Sequence, residues 1–273
     1  MGKNKKKVYC AGPMFSPAER QEETQIASAL KEAGFDTFNP SEDGLEINEI
    51  MGQAQDPKLM MAVMPFFPAI RKAVFALDFF QVVEGCDCLV FNMNGRVPDG
   101  GSVSEAASAH MAGKPVVLYK ETPISFMLGQ DNPMIDGLSY TWELVGTVGD
   151  IPNAVRQAID RADRMKVGDD WRPSLAPMPR EAVDRGRKIW LLMKSLKWTA
   201  GIPELIAALP ALIQGPETRS QIDPAGNVTV GENLCLGSLT LEPDAQIREA
   251  VDSLWADFAQ DVRAQLGLGR QGG

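Results

Sequence analysis

The chain has 273 residues, enough for one large domain or for a core domain with an extension. Its 44% hydrophobic and 23% charged content are the proportions of a packed globular protein, not of a disordered chain. A net charge of −9 argues against a nucleic-acid backbone as partner, no apolar run reaches membrane-spanning length, and the N-terminus lacks a signal-peptide core, so a soluble cytoplasmic protein is expected.

Lys3, Lys5, Lys6 and Lys7 form a short basic lead-in, read as solvated. Lys7 to Ala11 reads as a buried strand, which Gly12-Pro13 breaks. Ser16-Pro17-Ala18-Glu19 then combines an N-cap serine, a proline at the first helical position and a glutamate at the third. The helix is expected to run to about Ala33 with Gly34 as its cap, and Phe35 to Asn39 is the second strand. A strand, a helix and a strand in so short a stretch imply a parallel sheet. Residues 41–68 are punctuated by Asp43-Gly44, Asp56-Pro57, Pro65 and Pro68 and carry Met51, Met60, Met61 and Met64. They read as a long excursion with short helical pieces, either a lid or binding loop or a patch filled by adaptable methionines. Ala69 to about Glu84 is helical, Cys88 to Asn92 is a strand, and Met93 to Gly101 is a loop.

The run from Asp99 to Tyr119 is the most informative. A glycine-rich loop leads into a helix of small residues (Ala106, Ala107, Ser108, Ala109, Ala112), which lets another backbone or a ligand come close. Gly113 ends the helix, and Val116 to Tyr119 is the next strand. Glu105 is expected in the first turn, with Asp99 six residues before it on the same loop. A helix N-terminus offers unpaired N–H groups and a positive dipole end to a carboxylate. There a carboxylate can serve as nucleophile or base. Ser102-Val103-Ser104-Glu105 equally fits a capping box, in which Ser102 caps the helix and Glu105 reaches back to it.

A loop through Asp131-Asn132-Pro133-Met134 follows, then a fifth strand within Leu138 to Val145 and a helix from Pro152 to about Met165 with Val155, Ala158, Ile159 and Ala162 on its apolar face. This alternation makes a doubly wound α/β sandwich with its ligand site at the carboxyl ends of the strands. The loops after Ala11, Asn92 and Tyr119 open on that edge. Composition shifts near Gly168-Asp169-Asp170. Beyond lie four of the five tryptophans, amphipathic helices at Pro179–Leu196 and Pro243–Leu266, a shorter one at Pro203–Ile213 interrupted at Pro210, and a hairpin turn at Asp223-Pro224-Ala225-Gly226. That predicts a catalytic domain over residues 1–166, an ordered, mostly helical extension over 167–273, and a disordered tail from Gly267.

Of the four cysteines, Cys86 and Cys88 are too close for the usual zinc spacing, and the one histidine, His110, cannot complete a site; Cys10, Cys86, Cys88 and Cys235 read as free thiols in a reducing compartment. No metal or organic cofactor is indicated. A third carboxylate, Asp78, sits late in its helix among Phe75, Leu77, Phe79 and Phe80. Burial there would favour its protonated form. One ionised carboxylate beside one protonated carboxyl is the pairing that cleaves a glycosidic bond.

Val8-Tyr9-Cys10-Ala11-Gly12-Pro13-Met14-Phe15-Ser16 and the Asp99–Tyr119 run closely resemble the nucleoside 2-deoxyribosyltransferase family over roughly residues 7–160. The resemblance implies a flavodoxin-like, five-stranded parallel sheet and cleavage of the N-glycosidic bond of a 2′-deoxynucleoside, with the sugar passed to another base, as in nucleoside salvage. Glu105 falls on the family's nucleophile, Asp99 on the acid that binds the sugar's 5′-hydroxyl, and Asp78 on the acid that protonates the base. Tyr9 falls on the tyrosine that orients the nucleophile. Gly12, Pro13 and Phe15 line the base pocket, with Ser102 beside Asp99. Asn132 resembles an asparagine that enters a neighbouring subunit's site, which implies a homo-oligomer. Two departures stand out: the spacing from Asp78 to Asp87 is one residue longer than the family's, and Ala107 replaces the usual glycine. The same site would serve hydrolysis of a nucleoside or nucleotide if water resolved the glycosyl-enzyme, and the fold would also serve as a non-catalytic nucleotide-sensing module. The residues leave open purine against pyrimidine preference.

Overall fold

β1 (Lys7–Ala11) and β3 (Cys88–Asn92) form the centre of a five-stranded, all-parallel sheet ordered β2-β1-β3-β4-β5, with β2 at Asp36–Phe38, β4 at Val116–Tyr119 and β5 at Leu144–Val145. The computed structural model describes residues 5–45, 67–95, 97–121, 132–139, 141–165, 174–195, 221–222 and 228–229. The strand order is that of a flavodoxin-like, doubly wound sheet. β1, β3 and β4 are buried along nearly their whole length, because helices cover both faces.

Four of the described helices begin on a side-chain cap. Ser16 caps α1 (Pro17–Glu32), and its reciprocal pair with Glu19 completes the capping box. Asn39 caps the short α2 (Pro40–Asp43). α3 (Phe67–Phe80) runs into a π-helical segment, Gln81–Gly85, before β3. α4 (Gly100–Met111) lies between β3 and β4, α5 (Pro133–Asp136) is a single turn, α6 (Ile151–Met165) follows β5, and α7 (Pro177–Ser195) closes the described helices. Gly34 and Gly113 stand one residue beyond the caps Ala33 and Ala112 with φ of 92° and 71°, the left-handed conformation that releases a chain from a helix.

On one face of the sheet Val8, Cys10, Cys88, Val90, Val117 and Tyr119 pack against Ile26, Ala27 and Leu30 of α1 and Ile151, Val155 and Ile159 of α6. Each large aliphatic chain buried there contributes about 1.5–3 kcal/mol. α4 packs on β1, β3 and β4 from the other face through the buried Ala106 and Ala109.

The fifth strand is shorter than the sequence suggests. Residues 133–136 form α5, Trp142 takes a φ of 58°, and only Leu144–Val145 pair with β4. The chain divides into two units, residues 1–44 with 76–187 and residues 45–75 with 188–273. The first holds the sheet and continues into α7. There a Cβ on Gly186 would fall 1.9 Å from the Ala76 carbonyl oxygen, so only glycine permits that approach. Arg180 and Arg187 pair with Glu84. The second holds the antiparallel pair β6 (Gln221–Ile222) and β7 (Val228–Thr229), which flank the expected hairpin turn. The methionine-rich stretch, Cys235, the expected helices at 203–213 and 243–266 and the C-terminal tail lie outside the described residues. Among the described residues no helix is long and apolar enough to cross a membrane.

Candidate active site

Tyr9 points out of β1 toward α4 and donates its hydroxyl to Glu105 Oε1 at 2.7 Å. The phenol is fully buried, and its ring stacks on Phe38 of β2 with centroids 5.4 Å apart, which fixes the direction of the O–H. A hydrogen bond to a carboxylate contributes about 1.5–3 kcal/mol. Here it also aims the carboxylate. Tyr9 and Glu105 are 96 residues apart in sequence and meet because β1 and α4 are neighbours.

The helix carrying Glu105 starts earlier than expected. Asp99, not Ser102, is its N-cap: Asp99 Oδ2 accepts from the Ser102 N–H at 2.8 Å and from the Ser102 hydroxyl at 2.9 Å. Glu105 is therefore in the second turn, and the Ser102–Glu105 capping box does not form. An aspartate one turn upstream, on a flexible Gly100-Gly101 step, takes the amide that Glu105 would have served. Ser102 is only 2% exposed and its hydroxyl is directed at Asp99.

The base-pocket residues of the sequence reading lie where β1 ends. Gly12 and Pro13 are buried, and Phe15 is 73% exposed, its ring open to whatever fills the edge. The Arg20 guanidinium donates to the Met14 carbonyl at 3.0 Å and ties this turn to α1. Asp78, on α3, is partly buried, with Oδ1 away from solvent. Asn132 is exposed and caps α5, accepting from the Met134 N–H at 3.0 Å. Its oxygen is engaged in that cap, so what it presents outward is the Nδ2 side.

A second polar cluster, which the sequence reading missed, lies on the α1 side of the same edge. Asn92 Nδ2 donates to Glu22 Oε2 at 3.1 Å and to Glu23 Oε1 at 2.9 Å. Glu22 also accepts from Asn94 and, at 3.2 Å, from the Tyr119 hydroxyl. Burial, and then the charge of Glu22, push the Tyr119 phenol up to about 12. Glu23 is 1% exposed, and its Oε2 is buried without a hydrogen-bond partner among the described residues. Burial pushes its carboxyl up to about 8; Asn92 opposes the shift, and the charges of Glu22 and Glu105 add to it. A signal was present: Glu23 falls in phase with Ile26, Ala27 and Leu30, an acid on an otherwise apolar helix stripe.

Residues 8–141 match the family model described as nucleoside 2-deoxyribosyltransferase. Through this segment, just under half of the chain, the protein is similar to that family. Solved structures similar to it include a 2-deoxyribosyltransferase from Bacillus psychrosaccharolyticus, at 21% identity over 54% of this chain and 90% of that one, with a TM-score of 0.39. Another is a conserved protein from Enterococcus faecalis V583, at 20% identity over 56% and 98%, with a TM-score of 0.36. Among curated proteins nothing matches the chain.

Between Asp78 and Asp87 the helix changes its winding. The π segment Gln81–Gly85 lies between the two aspartates, and a π turn holds one residue more than an α turn. Asp87 stands just before β3 and accepts from the Lys7 amide at 2.9 Å.

The buried Glu23 gives a signed stability prediction. Between pH 4.5 and about 8 the unfolded chain ionises this glutamate while the folded protein keeps it protonated, so its contribution to stability falls as pH rises and the full penalty is present above pH 8. Glu23→Gln removes the titration and keeps an acceptor for Asn92. Relative to wild type, the variant should gain stability between pH 5 and pH 8.5, by an amount on the order of a few kcal/mol. Denaturation at the two pH values checks this, and a difference between the proteins that does not grow with pH contradicts it.

Proposed function

We propose that the protein transfers 2-deoxyribose between nucleobases through a covalent glycosyl-Glu105 intermediate. The observation that carries this reading is the 2.7 Å hydrogen bond from the buried Tyr9 to Glu105 at the carboxyl edge of the sheet. With Tyr9 holding Oε1, the carboxylate has a fixed direction of attack. In the proposed reaction Glu105 attacks the anomeric carbon and the C–N bond breaks. The departing base takes up a proton, for which Asp78 is the donor. A second base then attacks the same carbon, the ester bond to Glu105 breaks, and the proton is returned. We assign this chemistry to residues 1–166 and the cytoplasm.

Glu105→Ala should abolish transfer with the fold intact, since Asp99 and not Glu105 caps the helix. Incubation with thymidine and adenine tests the reaction itself: deoxyadenosine and thymine mean transfer, and thymine with free deoxyribose means that water resolves the intermediate. Trapping with a 2-fluoro-arabinosyl nucleoside and mass spectrometry should place the adduct on Glu105. Comparable turnover by a folded Glu105→Ala protein would sink the nucleophile assignment.

We further propose that Asn132 enters the site of a second copy of this chain. Its exposure and its place on a capped, one-turn helix beside the exposed Met134 support this. An active homo-oligomer is expected in sedimentation, with Asn132→Ala lowering activity without dissociating it. A fully active monomer would rule the shared site out.

Asp99 bears on the sugar's 5′ end. Its Oδ2 occupies the anion-binding position at the start of α4, taking the Ser102 amide and hydroxyl that would otherwise serve a phosphate. The remaining oxygen suits a 5′-hydroxyl donor and repels a 5′-phosphate. Free deoxyadenosine should therefore be used far better than its 5′-monophosphate, and Asp99→Ser should narrow or reverse the gap in kcat/KM. A wild-type preference for the monophosphate would overturn this role.

A further inference from the structure

Gly12 has no room for a side chain, and the group that takes the room is a glutamate. A Cβ built on Gly12 would fall 1.8 Å from Glu23 Oε1 and 3.0 Å from Asn92 Cβ. Glu23 in turn is fixed by Asn92, whose amide nitrogen bridges it to Glu22 and whose oxygen accepts from the Asn94 N–H at 2.9 Å. The turn after β1 thus has a polar floor made by α1 and β3. Farther along, the turn is held by Arg20 on the Met14 carbonyl and by the Ser16–Glu19 box.

We propose that Glu23 is a positioning residue of the site: its buried carboxyl, seated on Asn92, supports the Gly12 turn from behind and so sets where Pro13 and Phe15 stand opposite the Tyr9–Glu105 pair. This rests on the deoxyribosyltransferase reading given above. The family motif explains the glycine by what lies in front of it; the structure adds what lies behind it. Glu23 has a second oxygen, buried and without a partner among the described residues, that no helix cap or ion pair accounts for. An aliphatic residue would fill the same space without that orphan oxygen.

The protonation state of the seat matters to the turn. Around Glu23 stand Glu22 from its own helix, which takes the Tyr119 hydroxyl of β4, Glu105 from α4 and Cys10 from β1, and no cation lies among the groups that shift it. As a neutral acid it packs against the Gly12 backbone. As an anion in that company it draws water under the turn and displaces it.

The test is a double-mutant cycle read in both kinetics and stability. Glu23→Ala should raise KM for thymidine at least about tenfold with kcat within about threefold, whereas Glu23→Gln at pH 7 should keep both within about threefold of wild type. Above pH 8 the wild-type KM should climb and that of Glu23→Gln should stay flat. Gly12→Ala alone should lose about 100-fold in kcat/KM, and adding Glu23→Ala should restore at least about tenfold of it, because the methyl then enters the vacated space. A Glu23→Ala protein with wild-type KM overturns the proposal, as does strict additivity of the two changes. A fall in melting temperature with unchanged KM also overturns it, because Glu23 would then be structural only. If Glu23→Ala does not fold, the comparison of wild type with Glu23→Gln across pH decides alone, and parallel KM profiles refute the proposal. Absence of transfer in wild type refutes the functional reading instead; the Gly12–Glu23 coupling in melting temperature then stands as the measure of the seat, with additivity refuting it.

Discussion

The level pairing of three parallel strands fixes what meets at the edge of the sheet. Tyr9 lies opposite Leu89, Cys10 opposite Val90 and Ala11 opposite Phe91, and Phe91 and Asn92 lie opposite Leu118 and Tyr119. Successive side chains point to opposite faces, so a slip of one residue would turn Tyr9 toward α1 and away from Glu105. Burial on both faces forbids that slip, since it would exchange the apolar chains packed under α1 and α6 with those under α4. The same register sends Asn92 and Tyr119 to the α1 side, where they meet Glu22 and Glu23.

Two glutamates thereby come close to one edge in opposite circumstances. Glu105 receives a hydroxyl donor whose ring is locked by stacking, so its charge is directed. Glu23 receives one amide donor and otherwise burial, so its proton is retained to about pH 8. Glu22 takes donors from Asn92, Asn94 and Tyr119 on its two oxygens. Side-chain identity is the same throughout, and environment separates the roles. The charge of Glu105 is one cause of the shift in Glu23, so the two faces of the edge are electrostatically linked.

The strands of this fold were legible in the sequence because each is an apolar run closed by a polar or glycine break. The start of α1 was legible because its cap is a local pattern within four residues. The start of α4 was not. Asp99 and Ser102 are both good caps one turn apart, and the choice between them depends on which amide the chain brings to which oxygen. The Tyr9–Glu105 pair was reached only by family resemblance, because 96 residues separate its members and no local pattern joins them. The cluster around Asn92 needed the packing of α1 against the ends of β3 and β4. Only Glu23 left a trace, as a carboxyl in an apolar stripe. Strand-like composition from Leu138 predicts a longer β5, but α5 precedes it, Trp142 is left-handed, and only Leu144–Val145 pair with β4.

The π segment links the helix that carries Asp78 to α7, which lies beyond the family match. An extra residue inside an α-helix rotates everything before it by about 100° relative to everything after it. An extra residue taken up within a single π turn avoids that rotation. Such a turn has poorer backbone geometry and persists only when its surroundings hold it. Here Lys7 of β1 donates to Gln81 at 2.8 Å, α4 packs against the segment, and Glu84 is gripped by Arg180 and Arg187 of α7. Gly186 lets α7 lie directly on the Ala76 carbonyl, two residues before Asp78 and one turn before Phe80. Arg187 also stands over the Phe80 ring, 5.7 Å from its centroid. The first part of α7 is therefore a brace on the helix that carries the proposed acid.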